Sequence, residues 1–421
     1  MMVAASRPFA DPAAAAAQLL FDLALILLMI LTPVAEVFFH GPLYVLLPVG
    51  ACILIVAGRV AQAREDRPDF RKVLRSPITW AAVFLFFWAG LSIIWTPFPD
   101  EAATRFFKAL GTAVVVFLAI ISLPSKTRAT NLYLLPIGLA IAACAAIIFT
   151  FFEPQIFWQG EHPDATLAQR SVMSLMVLLW PALGALALRE KWLLAIALAA
   201  IVTAAALATF IQVALVGLAL AAVVYAIAVS EAQKVGQILG FGLAALMLLA
   251  PVAALVTFAI TNLAHMAQSG PGFVFAELLL RQWPRFITGH GLGFVTSAID
   301  TGVLPPDAPR SILFEIWYEL GLLGALAFAV LAVCVFNAAA RMPDYIAPAL
   351  LAGLVAGLVI AVWGAETTQV WWISLNGLDA IALALMCKGL PRATRPPVTL
   401  AEPGSYAPEA DADFEDRNFA D

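Results

Sequence analysis

The sequence predicts an all-α polytopic membrane protein with about twelve transmembrane helices. Of its 421 residues, 63% are hydrophobic and 12% charged, and the mean hydropathy is +0.94. Apolar runs of about 20 residues recur from end to end, and at ~1.5 Å rise that length crosses a ~30 Å hydrocarbon layer. The runs lack the period-two alternation of an outer-membrane barrel, which sets strands aside. The net charge of −5 adds little, because the position of charge outweighs its sum in such a chain.

In chain order the spans are expected at about 16–34, 42–58, 77–95, 106–124, 131–151, 171–188, 192–209, 211–229, 236–260, 312–339, 345–363 and 371–388. Sidedness follows from Lys and Arg. The loop after the second span, "GRVAQAREDRPDFRKVLRS", holds six of them and is expected to be cytoplasmic, which with twelve spans puts both termini there too. Seventeen of the 23 basic residues then fall on the cytoplasmic face. Arg105, Lys108, Arg170, Arg281, Arg285 and Arg310 fall on the other, against the rule.

Residues 1–388 thus form one transmembrane domain. Most of its loops are short, so consecutive helices are expected to be antiparallel neighbours. The exception is an external loop of about 261–311 between helices 9 and 10, and a loop that long is usually functional. Its "GFVFAELLLRQWPRFI" is expected to contain a short amphipathic helix near the membrane surface. Residues 152–170 make the other sizeable external loop. The first apolar stretch has no charged n-region and cleavage site, so it is expected to remain as a span. Residues 389–421 are Pro-rich and acidic and are expected to be a disordered cytoplasmic tail. The cysteines, Cys52, Cys144, Cys334 and Cys387, have no metal or disulfide spacing and are expected in the packed core.

The external arginines carry the first functional reading. Each alone could snorkel or pair with an acid such as Glu277. Together, Arg105, Arg170, Arg281, Arg285 and Arg310 suit a diphosphate lipid headgroup, since guanidinium donates in pairs to phosphate oxygens and stays charged when partly dry. Neutralising a diphosphate also makes it a better leaving group. No Asp-rich metal box appears on the external loops, so neither metal nor cofactor is expected.

"GHGLGF" (289–294) fails the dinucleotide spacing, and its glycines suggest a tight turn. His290 within it is a candidate general base or a structural histidine bonded to a loop carbonyl. Ser311 is a candidate helix cap at the start of "SILFEIWYELGLLGA". Glu315 and Glu319 follow one turn apart, either as favourable first-turn charge paired with a nearby arginine or with one of them positioning an arginine or an acceptor hydroxyl, and Glu315 is the catalytic candidate. Gly321 and Gly324 suggest close helix packing. Asn376 and Asp379 form an intramembrane polar pair in the last span.

These segments resemble the O-antigen ligase and O-antigen/exopolysaccharide polymerase family of bacterial inner-membrane proteins. The resemblance rests on "WAGLSIIWTPFPDEA", "AQRSVMSLMVLLWPAL", "RQWPRFITGHGLGF", "FEIWYELGLLGA" and "QVWWISLNG", in that order. It implies a GT-C-like, metal-independent, inverting glycosyltransferase of the inner membrane, with the long loop periplasmic. Such an enzyme moves a glycan from an undecaprenyl-diphosphate donor to a lipid A-core or growing glycan acceptor. Its partners are those glycans and membrane lipids, with no nucleic acid. Arg170, Arg281 and Arg285 match positions where the family holds the donor diphosphate. The chain departs from the pattern at Ala308-Pro309-Arg310-Ser311, where the family places the histidine proposed as base. The alternatives are a non-catalytic partner of a polysaccharide assembly complex or a 12-helix secondary transporter. The short join between spans six and seven and the off-centre external loop disfavour transport.

Overall fold

Apolar runs this long leave the backbone one way to satisfy its own polar groups in lipid, and the chain takes it. A computed structural model describes residues 12–39, 41–61, 75–124, 128–152, 165–263, 271–281, 283–306, 308–363 and 370–388, and every regular element among them is helical. The predicted tail, 389–421, and most of the 152–170 loop lie outside the described residues.

Among the described residues, seven helices are long and apolar enough to cross a membrane: Ala13–Phe38, Pro42–Ala61, Pro99–Ser122, Thr130–Phe152, Leu167–Ala187, Gln212–Leu263 and Ile312–Ala340. Shorter apolar helices span Pro77–Ser92, Trp192–Ala208, Ala347–Trp363 and Trp371–Cys387. Their outward faces carry side chains that water would not tolerate in such number; Leu193, Phe210 and Leu263 are more than 80% exposed. The chain is a helical, multi-pass membrane protein.

We number the helices that position the site α1 (Pro12–Ile26), α2 (Thr32–Phe38), α3 (Pro42–Ala61), α4 (Pro77–Ser92), α5 (Pro99–Ser122), α6 (Leu134–Phe152), α7 (Ala165–Ala187), α8 (Trp192–Ala208) and α9 (Gln212–Leu263). There follow α10 (Pro271–Arg281), α11 (Phe294–Asp300), α12 (Ile312–Glu315), α13 (Gly321–Ala340), α14 (Ala347–Trp363) and α15 (Val370–Cys387).

At 52 residues α9 is far longer than a bilayer is thick, and Glu231 inside it has non-helical φ −141° and ψ 51°. Its two arms run in opposite directions. The first descends beside α14, with Gly217 next to Val359; the second starts with Gly236 against Ala340 and rises along α13, past Val333 at Gly240. The Trp317 indole then donates to the Met247 carbonyl at 2.7 Å. Since α13 and α14 are joined by a tight turn at 341–346, the chain doubles back at Glu231. Small residues at these crossings let backbones approach, and Gly58 against Ser122 does the same for α3 and α5.

Helices α5 and α15 run parallel. Lys388, just past α15, donates to the carbonyls of Ile120 and Leu123 at the end of α5, and Gly377 lies beside Thr112 and Val116. Arg105 and Trp371 therefore share the opposite end of the bundle.

Some local expectations need correction. The helix expected in the long loop exists as α10, but its apolar face is buried against the protein: Phe273 stacks on Phe258 of α9 at 4.8 Å, and Phe275 meets Phe314 at 5.0 Å. All four cysteines are free, and Cys52 and Cys144 face outward, away from the core. A thiol is apolar enough to face lipid as readily as protein. Asn376 and Asp379 do not bond to each other. The Asn376 amide donates to the Trp372 carbonyl at 2.8 Å, while Oδ1 of buried Asp379 has no hydrogen-bond partner.

Candidate functional site

The span Ile312–Ala340 is broken near one end. Ser311 caps its start, its hydroxyl accepting from the Phe314 amide at 3.4 Å. After the single turn of α12, the chain widens into a π-helix, Ile316–Leu320, and then reaches Gly321 at φ +66° and ψ −161°. The break strands the carbonyls of Tyr318, Glu319 and Leu320. An unsatisfied carbonyl in an apolar setting costs several kcal/mol, so a break there needs donors from elsewhere.

The 286–295 segment supplies most of them. The His290 and Gly291 amides donate to the Tyr318 and Glu319 carbonyls, both at 2.9 Å, and the Trp88 indole donates to the Leu320 carbonyl at 2.9 Å. In return, the Leu322 amide donates to the Phe286 carbonyl at 2.9 Å. Gly321 is therefore no helix-packing glycine, as the sequence suggested. A Cβ there would strike Ile287 and Gly289 backbone, and its left-handed φ turns the chain between the two half-helices.

The sequence "GHGLG" folds as a tight turn because Gly289, Gly291 and Gly293 all take left-handed φ, from +71° to +100°. Side chains fix the turn on two sides. The Leu292 amide donates to the Ser92 hydroxyl at 3.0 Å. The buried Glu319 carboxylate, 3% exposed, accepts from the Gly293 amide at 2.9 Å and the Val295 amide at 3.0 Å. Arg105 reaches in from α5, and its guanidinium donates to the Gly293 carbonyl at 3.1 Å while its charge acts on Glu319.

His290 is held with one nitrogen committed. Its ring stacks on Tyr318, centroids 4.2 Å apart and planes within 16°, and Nδ1 lies 3.0 Å from the Tyr318 carbonyl. A carbonyl only accepts, so Nδ1 bears the proton and Nε2 keeps the lone pair of the neutral ring. Burial pushes the His290 pKa below its ordinary value of 6.5; the Tyr318 carbonyl opposes this and the Arg285 charge adds to it. The ring is accordingly neutral at physiological pH.

The structure therefore brings Arg105, Arg285 and His290 to one junction of loop and broken span. Arg281 is exposed on the last turn of α10 and pairs with Glu277 one turn earlier. Arg310 is half-buried at the approach to Ser311, and Glu315 is buried within α12. Arg170 belongs to a second cluster at the same end of the bundle. It sits over the Trp371 ring, 6.0 Å from its centroid, and beside Glu36, which accepts from the Trp371 indole at 2.6 Å. Ser174 adjoins that carboxylate, with its hydroxyl donating to the Arg170 carbonyl at 3.0 Å.

Sequence reasoning missed Ser92, Trp88, Glu36 and Trp371 as parts of these clusters, and it weighed Glu319 as first-turn charge or as a group positioning an arginine or acceptor hydroxyl, not as the acceptor of the Gly293 and Val295 amides. A signal existed for Glu36, an acid at the end of the first apolar run, where a polar group is a site candidate by default. Ser92 and Trp88 stand in a segment that carries the family resemblance, but nothing local marked them as partners of the turn and of the break, which they meet only after 200 and 232 residues of intervening chain. A groove of about 910 Å³ lined by Gln18, Asp22, Arg128 and the outer face of α1 lies towards the opposite end of the bundle and belongs to neither cluster.

Comparison of the chain with protein-family models, with curated proteins and with solved structures finds no match.

Proposed function

We propose that this protein transfers a glycan from an undecaprenyl-diphosphate carrier to a sugar hydroxyl at the periplasmic face of a bacterial inner membrane, as an O-antigen ligase or a polysaccharide polymerase. Counting the two arms of α9 separately and taking the four shorter helices as spans supports a twelve-span, GT-C-like reading. The sidedness of Lys and Arg, with both termini cytoplasmic, puts the Arg105 end outside.

The observation that carries the reading is His290: a neutral imidazole with Nδ1 locked and Nε2 available, beside Arg285 and within three residues of the Arg105 contact. The acceptor hydroxyl attacks C1 of the donor sugar and Nε2 takes its proton. As the new C1–O bond forms with inversion, the bond to the diphosphate breaks and its electron pair leaves with the carrier. Guanidinium charge at Arg105, Arg285, Arg281, Arg310 and, in the second cluster, Arg170 offsets the charge gathering on the diphosphate. A displaced base at 290 also accounts for the missing histidine before Ser311.

Deletion of the gene followed by lipopolysaccharide and exopolysaccharide gels tests this. Loss of capped lipopolysaccharide identifies a ligase and shortened chains a polymerase; unchanged glycans reject both. His290→Ala in the restored strain is expected to reproduce the deletion while the protein stays inserted.

A further inference from the structure

The His290 ring does not orient itself. Its Nδ1–H bond requires the 289–293 turn to lie across the break in the span, and one residue grips that turn at both ends. Glu319 accepts from Gly291 with its main-chain carbonyl at 2.9 Å, and from Gly293 and Val295 with its two carboxylate oxygens at 2.9 and 3.0 Å. It directly follows Tyr318, whose carbonyl takes the Nδ1 proton and whose ring carries the imidazole. Both oxygens are committed to backbone amides and the side chain is buried, so Glu319 itself is no candidate for moving a substrate proton.

We propose that Glu319 is the positioning residue of this site, the group that holds the glycine turn so that His290 presents Nε2 as its basic nitrogen. The proposal rests on reading His290 as the general base. The chemistry favours a carboxylate: two buried amides pointing at one spot need two acceptors, and only an ionised Asp or Glu offers two without a competing donor. Glutamine would turn an NH₂ towards one of the amides. Aspartate is a methylene short of bridging both. The Arg105 guanidinium, bonded to the Gly293 carbonyl, supplies the counter-charge.

Nitrogen NMR of the full-length chain in lipid nanodiscs, labelled at histidine, reads the tautomer without any assay of turnover. His290→Asn assigns its signal among the four histidines. The wild type is expected to show His290 wholly as the Nδ1–H form above pH 7. Glu319→Gln is expected to give a tautomer mixture and to lower turnover about a hundredfold, the scale of a general base, with the acceptor KM little changed. A wild-type tautomer in Glu319→Gln overturns the proposal. Should that variant fail to insert, Glu319→Asp is expected to give an intermediate ratio, and a wild-type ratio there overturns the proposal equally. Ser92→Ala, which frees the Leu292 amide and leaves Glu319 in place, is expected to keep the wild-type tautomer; a mixture there shows that any anchor suffices and also overturns it. A locked tautomer in a protein with no effect on surface glycans would reject the glycan-transfer reading and leave the positioning role intact.

Discussion

Trp371 donates its indole proton to Glu36 across 2.6 Å, tying the last helix of the bundle to the end of the first span. Both side chains are at least 96% buried, and the second Glu36 oxygen, Oε2, has no hydrogen-bond partner. A carboxylate so placed depends on the indole bond, on the adjoining Ser174 hydroxyl and on the Arg170 charge. Trp371→Phe keeps the ring and removes the donor, leaving a buried acid short of its main partner. We expect a loss of about 2–4 kcal/mol. Glu36→Gln still accepts from the indole and is expected to cost under about 1 kcal/mol. Thermal unfolding in detergent separates them; equal losses would show that the bond itself contributes little.

Backbone conformation makes two glycine positions an opposed pair. Gly321 sits at φ +66°, and a Cβ there would meet the backbone of Ile287 and Gly289. Gly111, inside α5, has nothing within 4 Å of where a Cβ would stand. Gly321→Ala is expected to destabilise by about 2 kcal/mol or more and to dislodge the His290 turn. Gly111→Ala is expected to be neutral or to stabilise by about 0.5–1 kcal/mol through helix propensity. Measured Tm shifts of the same sign in both variants would contradict this.

How far the sequence could be read depends on the range of the interactions. Apolar runs report burial in lipid locally, which is why the spans and even the reversal near Glu231 are visible as breaks in hydropathy. The clustering of cations around 281–290 was visible too, because a chain that avoids charge makes its exceptions conspicuous. The latch was not. Glu319 bonds Gly293 across 26 residues and Ser92 bonds Leu292 across 200, and no periodicity encodes such pairs. The same limit explains Gly321: glycine in an apolar helix reads as packing, and only the π-turn before it shows that the helix stops there.

Protonation of His290 gives the pH dependence its sign. Its folded pKa lies below the ordinary 6.5, because burial and Arg285 disfavour the imidazolium. Between the two values the unfolded chain binds more protons than the folded one, so stability from this group is fully present above about 6.5 and is lost as pH falls through the lower folded value. Transfer is expected to follow, constant above neutrality and falling on the acid side with a midpoint below 6.5. His290→Ala is expected to abolish that acid limb along with most of the rate. An acid midpoint above 6.5 in the wild type would mean that another group, or His290 in a different environment, controls the proton.

Arg281 and Arg285, four residues apart, face different constraints. Arg281 is 73% exposed and paired with Glu277 along its own helix, an arrangement worth little to the fold. Arg285 ends the 3₁₀ turn beside His290, and its carbonyl accepts the Gly289 amide at 2.7 Å through backbone that truncation leaves intact. Neither Arg281→Ala nor Arg285→Ala should therefore alter insertion or Tm by more than a degree or two. Both are expected to eliminate long-chain surface glycan, because each removes one guanidinium from the proposed donor site. Replacement by lysine is expected to restore only part of the product, since a single ammonium does not reproduce the planar donor fork. In vitro, with purified lipid-linked donor, the loss should fall more heavily on donor KM than on acceptor KM. Normal glycan ladders in both alanine variants would remove these two arginines from the donor site.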